Sequence, residues 1–341
     1  MRNTLIWLCF GVLAFGQKPR VDLQPNPQQD MRTQLEKNNQ TLGNPKEAPL
    51  VTVGETAKLV FHVSPLSGTG LLSQQTRDAM KAILRLNGGA QIIHIRAFSA
   101  GNGDLRRIPQ IVAEVLGDKH GPLPSVSVLQ AGALTLGDAQ VVLEAVSVGK
   151  KTVNQGGLMF HPAEEAIASD PAMPVRQVLR ESMDQLAGKM GGKPALSVTC
   201  FVSTLDGADE LWRMMAARFP GAAIDLVQPR RLPWQNSASC EGVSRDGGVT
   251  SARVAFSGTQ VAFGAEEKDA TLALQRLDRA LGEYGATRGA AALLRLYVLS
   301  PGAATEARKL LGGSVPVATV VVEGVGPASA GYAIDAVAPA P

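Results

Sequence analysis

The stretch from Pro124 to Val148 constrains this chain more than any other. It reads Pro124-Ser125-Val126-Ser127-Val128-Leu129-Gln130-Ala131-Gly132-Ala133-Leu134, a turn at Thr135-Leu136-Gly137-Asp138, then Gln140-Val141-Val142-Leu143-Glu144-Ala145-Val146-Ser147-Val148. Two apolar runs around a Gly/Asp turn predict a β-hairpin. The second run is apolar on both alternating faces, so both faces need covering, and only Glu144 interrupts it. The same text returns twice in weaker form. One copy runs from Ala223 through Val227-Gln228 and Leu232-Pro233 to Cys240-Glu241-Gly242-Val243, the other from Pro316 through Gly324-Val325 to Ala333-Ile334-Asp335-Ala336-Val337. Each copy ends in a carboxylate, a small residue and valine.

The elements around these copies repeat as well, with a period of roughly 95 residues, too long for a solenoid and right for small domains. The first unit predicts a strand at Lys58 to Val63, a helix at Ser73 to Leu86 stopped by Gly88-Gly89, a strand at Ile92 to Phe98 and a helix at Leu105 to Leu116. The second predicts a strand at Thr152 to Phe160, a helix at Pro174 to Met190 stopped by Gly191-Gly192, a strand at Leu196 to Val202 and a helix at Ala208 to Arg218. The third predicts strands at Ser251 to Ser257 and Gln260 to Phe263, a helix at Asp269 to Tyr284 stopped by Gly285, a strand at Ala292 to Leu299 and a helix at Ala303 to Leu311. This order implies an α+β unit, a sheet with two helices on one face. The other sheet face is apolar too and needs a partner.

Composition narrows the function. The chain has 341 residues, of which 45% are hydrophobic, so buried cores are expected rather than disorder. A net charge of +3 and only 4% aromatics argue against nucleic acid as a partner. Met1-Arg2-Asn3 followed by Leu5 to Phe15 has the form of a secretory signal, with cleavage expected after Gly16. Read as a membrane anchor instead, the apolar run falls short of the ~20 residues a span needs. Residues 17–50 read as a flexible linker with at most one short helix near Met31 to Asn38, and Asn39-Gln40-Thr41 is a glycosylation sequon. The mature protein is expected to be exported, periplasmic or extracellular, without a transmembrane segment. Two cysteines remain after cleavage, Cys200 and Cys240. An oxidising compartment permits a disulfide, but two buried thiols packing as small hydrophobes is the preferred reading.

These residues resemble the Rid family, the RidA-type or YjgF-like imine deaminases. The resemblance rests on Gln74-Gln75-Thr76-Arg77, the Gly-Gly stops, Val227-Gln228 with Leu232-Pro233, and the endings at Glu144, Glu241 and Asp335. It implies three tandem Rid-like domains of chorismate mutase-like βαβαββ order, at 51–150, 151–247 and 248–338. It further implies an internal pseudo-trimer with a central β-barrel, outer helices and ligand sites in the clefts between repeats. A chain that supplies three subunit equivalents is expected to be a monomer.

In the family an arginine in a Pro-x-Arg element grips the substrate carboxylate, and a carboxylate on the last strand holds or activates water. By that resemblance the arginine position falls on Val126, Ile224 and Ala318, none of which binds an anion, while the acid survives as Glu144, Glu241 and Asp335. Deamination of 2-imino acids is therefore not expected, and a neutral or apolar small molecule is the better ligand. The acids also have a plainer reading, strand-end residues held by backbone N–H groups or a nearby arginine; an arginine such as Arg96, Arg230, Arg231 or Arg295 reaching a cleft beside one of them would instead favour an enzyme. His62 and His161 each follow a phenylalanine in a first strand, with Gly264 in that place in the third unit. They are ligand-site candidates, although strand histidines satisfied by backbone or water are commoner. His94 and His120 stand singly. No metal-ligand spacing, phosphate loop or nucleophile elbow is present, and no cofactor is implied. The rival reading is a divergent deaminase or hydrolase that uses Glu144, Glu241 or Asp335 with water.

Overall fold

The computed structural model describes residues 48–56, 58–100, 103–117, 122–148, 157–229, 235–247, 252–311, 313, 315–326 and 330–341. The signal segment 1–16, linker residues 17–47 with the Asn39 sequon, His120, Arg230, Arg231, Leu232 and Pro233 lie outside them.

The architecture is mixed α and β. Strands β1 (Val51–Thr56), β2 (Leu59–Val63), β3 (Gln91–Ala100), β4 (Ser125–Ala131), β5 (Ala133–Leu134) and β6 (Val141–Val148) come first, with helices α1 (Leu72–Leu86) and α2 (Arg107–Leu116) among them. Then follow β7 (Gly157–Ile167), α3 (Val175–Met190), β8 (Ala195–Val202), α4 (Ala208–Arg218), β9 (Ala223–Gln228) and β10 (Ser237–Gly247). The last group is β11 (Ala252–Ser257), β12 (Gln260–Ala262), α5 (Glu267–Gly282), β13 (Leu293–Val298), α6 (Pro301–Leu311), β14 (Val317–Val321), β15 (Gly324–Val325) and β16 (Tyr332–Ala340).

Backbone pairing among the described residues gives three sheets rather than one closed barrel. Their central arrays are β2-β6-β3-β4, β7-β10-β8-β9 and β11-β16-β13-β14. In chain order each is first-fourth-second-third, with a parallel second-third pair and antiparallel neighbours otherwise. This corrects the hairpin reading. β4 and β6 do not pair with each other, because β3 lies between them. The turn between them instead carries β5 across to pair with β14, and β15 likewise pairs with β9. β1, absent from the sequence reading, pairs with β11, and Thr52 Oγ1 donates to Leu196 O at 2.6 Å. One strand so fastens the third array to the second.

The helices form for local reasons. α1 buries Leu72, Thr76, Ala79, Met80 and Ile83, one apolar stripe at helical spacing. Gln75, buried in its first turn, donates to Gly70 O and Asp138 O at 3.0 Å and accepts the Gln140 N–H at 2.7 Å. This glutamine therefore ties the loop before α1 to the turn before β6. α5 opens with a capping box between Glu266 and Asp269. α3 ends at Gly191, whose φ of 61° is the left-handed conformation that glycine reaches at no steric cost.

Each array covers one face with its own helices, in clusters centred on Ile95 and Leu143, on Val198 and Leu179, and on Leu294 and Leu277. The other faces meet in two shared clusters. Phe98, Leu129, Phe201, Val227, Tyr297 and Val320 form one; Phe61, Val146, Leu196, Val243, Phe256 and Val337 belong to the other. At about 1.5–3 kcal/mol per large buried side chain, these clusters hold the three arrays together.

Cys200 and Cys240 are register partners across β8 and β10, both fully buried, and a disulfide joins them. The preference for free thiols is thus corrected, because direct cross-strand opposition brings their Cα atoms to 4.1 Å. Closing a sequence separation of 40 residues stabilises by roughly 2–4 kcal/mol through chain entropy. Replacing both cysteines by alanine is expected to lose that amount in urea unfolding, and adding a reductant should then change nothing further.

Candidate functional site

Between the two shared clusters lies a polar layer. On the middle strands β3, β8 and β13 its positions are Arg96, Thr199 and Arg295. Opposite them, on β6, β10 and β16, stand Glu144, Glu241 and Asp335. On the parallel neighbours β4, β9 and β14 the partners are Ser127, Asp225 and Ala318. Strand alternation sends all of these inward, two residues from Phe98, Phe201 or Tyr297 on the middle strands.

The acids are 3%, 2% and 1% exposed and are held by arginines from more than one array. Arg295 donates to Glu144 Oε2 at 2.9 Å through Nε and to Asp335 Oδ1 at 2.8 Å through Nη1. Arg96 reaches Glu144 Oε2 at 3.4 Å and also pairs with Glu241. Burial works against the charge on Arg295, but Glu144 and Asp335 more than offset it and its pKa is raised. The second array has Thr199 where the others have arginine. There Asp225 accepts from Thr199 Oγ1 at 3.1 Å and from the Thr259 N–H at 2.5 Å. Burial, then the nearby Asp335, pushes the Asp225 carboxyl up to about 8, so it is protonated at neutral pH. Burial also raises Asp335.

The structure brings the three predicted acids together, with Arg96 and Arg295 as their partners. Of the three positions matched to the family's arginine, it separates Val126 and Ile224 from them. Val126 and Ile224 pack on the helix-covered faces. Ala318 does not share that place: β14 registers Val317 with Leu294 and Ala318 with Arg295, so Ala318 falls on the inward face. One residue of offset reverses a side chain's face. His161 lies 2.8 Å from Ser244 Oγ through Nε2 and its pKa is lowered by burial. His62 is half-buried with its pKa lowered for the same reason. In the third array Ser257, not Gly264, follows the equivalent phenylalanine, because Phe256 registers with Val337 as Phe61 does with Val146. Asp225, Thr199 and Ser127 are layer residues that the sequence reading did not single out; for Asp225 a carboxylate inside Ala223-Ile224-Asp225-Leu226-Val227 was the signal.

Two cavities adjoin this region. One, of about 30 Å³, is lined by Glu144, Glu241, Arg96, Thr199, His94 and His161 among others. Burial, then Arg96, lowers the His94 pKa to about 3, leaving that ring neutral. The space suits a water molecule or two, not an organic substrate. The other, of about 300 Å³, opens between the first two arrays. Leu105 and Pro109 beside and on α2, Leu129 and Gln130 on β4, Phe201 on β8, Glu165 on β7 and Ser239 on β10 line it. Among the described residues no group of three or more His, Cys, Asp or Glu is arranged to hold a metal ion, and no helix is long and apolar enough to cross a membrane.

No protein-family model matches the chain, and no curated protein matches it. Among solved structures it is similar to a cyanuric acid hydrolase described as an innovation by structural concatenation, at 12% identity and a TM-score of 0.42, over 85% of this chain and 100% of that one. The cyanuric acid hydrolase of A. caulinodans compares at 13% identity and 0.39, over 83% and 100%. A YjgF/YER057c/UK114 family member from Mycobacterium tuberculosis compares at 21% identity and 0.21, over 29% of this chain and 80% of that one. The Rid likeness is thus partial, and likenesses at these levels assign neither a family nor an activity.

Proposed function

We propose that this is an exported, monomeric binding protein made of three tandem Rid-like units, 51–150, 151–247 and 248–338. The units form an internal pseudo-trimer with sheets inward around a barrel-like centre. The common strand order and the two shared clusters support this arrangement. The Cys200–Cys240 disulfide fits an oxidising compartment. Light scattering should give the mass of one chain.

One observation carries the binding reading: the 300 Å³ cleft between the first two arrays, at the lower end of the size of small-molecule sites. Its floor is apolar, at Leu129 and Phe201, and the buried acids are not part of its lining. Those acids face guanidinium groups and a water-sized space, so their role is structural. The ligand is a small molecule with an apolar body and no carboxylate, and no chemistry is performed on it.

Purified mature protein is expected to show no hydrolysis of 2-imino acids, while small apolar compounds raise its melting temperature and are lost with a cleft-filling Ser239→Trp variant. Robust imine turnover that disappears in Glu144→Gln, Glu241→Gln or Asp335→Asn would overturn this reading in favour of a divergent deaminase.

A further inference from the structure

We infer that the cleft between the first two arrays takes a small organic amine in its charged form. This rests on the binding reading above and adds the chemical class of the ligand. A space of about 300 Å³ accommodates about ten to a dozen non-hydrogen atoms at ordinary packing. The apolar body lies against Leu129 and Phe201, which continue into the inner cluster, so that end of the cleft offers no hydrogen-bonding side chain.

The wall is different. Glu165 on β7 stands directly opposite Ser239 on β10. Side chains of such a pair are within reach of one another, so a carboxylate and a hydroxyl oxygen sit side by side. Among the described residues Glu165 makes no ion pair. Arg106, the cation in the lining, is already committed, donating to Asp104 through Nε at 2.9 Å and Nη2 at 3.3 Å. Ser203 is used too, with Oγ donating to Asn236 at 3.2 Å and accepting the Ser237 N–H at 3.0 Å. Glu165 is thus the charge in the lining without an ion pair among the described residues, and the Ser239 hydroxyl beside it can accept a hydrogen bond. An ammonium group, which only donates, matches that wall; a carboxylate is repelled; an alcohol gains the hydroxyl contact without the charge.

The test uses the full mature chain and three probes of one shape: 2-phenylethylamine, 2-phenylethanol and 3-phenylpropionate, titrated by calorimetry and saturation-transfer NMR. The amine is expected to bind about three- to tenfold more tightly than the alcohol, with the carboxylate weakest. Glu165→Gln, on an exposed strand position, should bring the amine down to the level of the alcohol, and raised salt should narrow the gap. Equal binding of amine and alcohol, or an amine preference that survives Glu165→Gln, would overturn the assignment while leaving the cleft as a binding site. If no probe binds, or if Ser239→Trp leaves their binding intact, the cleft reading itself falls and the assignment with it.

Discussion

Replacing Arg295 by leucine is expected to destabilise the protein by about 3–5 kcal/mol, the usual cost of removing one partner from a buried ion network. Arg295 donates to Glu144 and to Asp335, and its loss leaves Asp335 without its guanidinium partner and Glu144 with only the longer 3.4 Å contact to Arg96. The charge, rather than the volume, is what matters here. The triple variant Arg295→Leu, Glu144→Gln, Asp335→Asn should therefore recover more than half of the loss. Arg288, whose pair with Asp278 is partly exposed, is the control; its alanine variant should cost less than about 1 kcal/mol. Urea unfolding at pH 7 reads all three. A loss for Arg295→Leu no larger than that of Arg288→Ala would mean that the polar layer is hydrated rather than sealed between its two apolar clusters.

Asp225→Asn should alter how stability depends on pH. In the unfolded chain this carboxyl releases its proton near the ordinary value of 3.8, whereas the folded chain holds it to about 8. The folded state binds more protons across that window. The contribution is therefore complete below about pH 4, declines as pH rises towards 8 at up to about 1.4 kcal/mol per pH unit, and is gone above. Asp335, also raised, acts in the same direction. Asparagine keeps an oxygen for the Thr259 N–H and presents an amide to Thr199, without a proton to lose. Relative to the native chain, the variant should be progressively more stable between pH 5 and pH 8. A difference that stays constant across that range would show that Asp225 is not the residue holding the proton.

Much of this organisation is legible in the sequence, for reasons that differ by element. The helix from Ala208 to Arg218 is found at its predicted ends, and the one ending at Met190 begins one residue later than expected, at Val175. Helical periodicity and a left-handed glycine are local signals. Strand partners are not local. Nothing in Pro124 to Val148 says that β3 will lie between its two runs. For the same reason β1 went unread, its partner lying in the third array. Ala318 was misplaced because counting from Pro316 ignores one residue of register, which only the pairing with β13 fixes. The acids were legible as charges within apolar strands. Their partners were visible by the same rule, Arg96 two residues before Phe98 and Arg295 two before Tyr297, but which arginine meets which acid depends on three sheets facing one another.

The pairing of β1 with β11 also governs when this chain becomes a protein during its synthesis. The ribosome delivers Val51–Thr56 early, and those backbone groups have no sheet partner until Ala252–Ser257 has followed. For most of translation the first strand is an unpaired edge of the kind that recruits other chains. The third array cannot be completed without a segment made long before it, and the first strand has no sheet partner until Ala252–Ser257 arrives. Whatever carries the nascent chain, whether a chaperone or an export apparatus, must shield that early strand until the final third arrives.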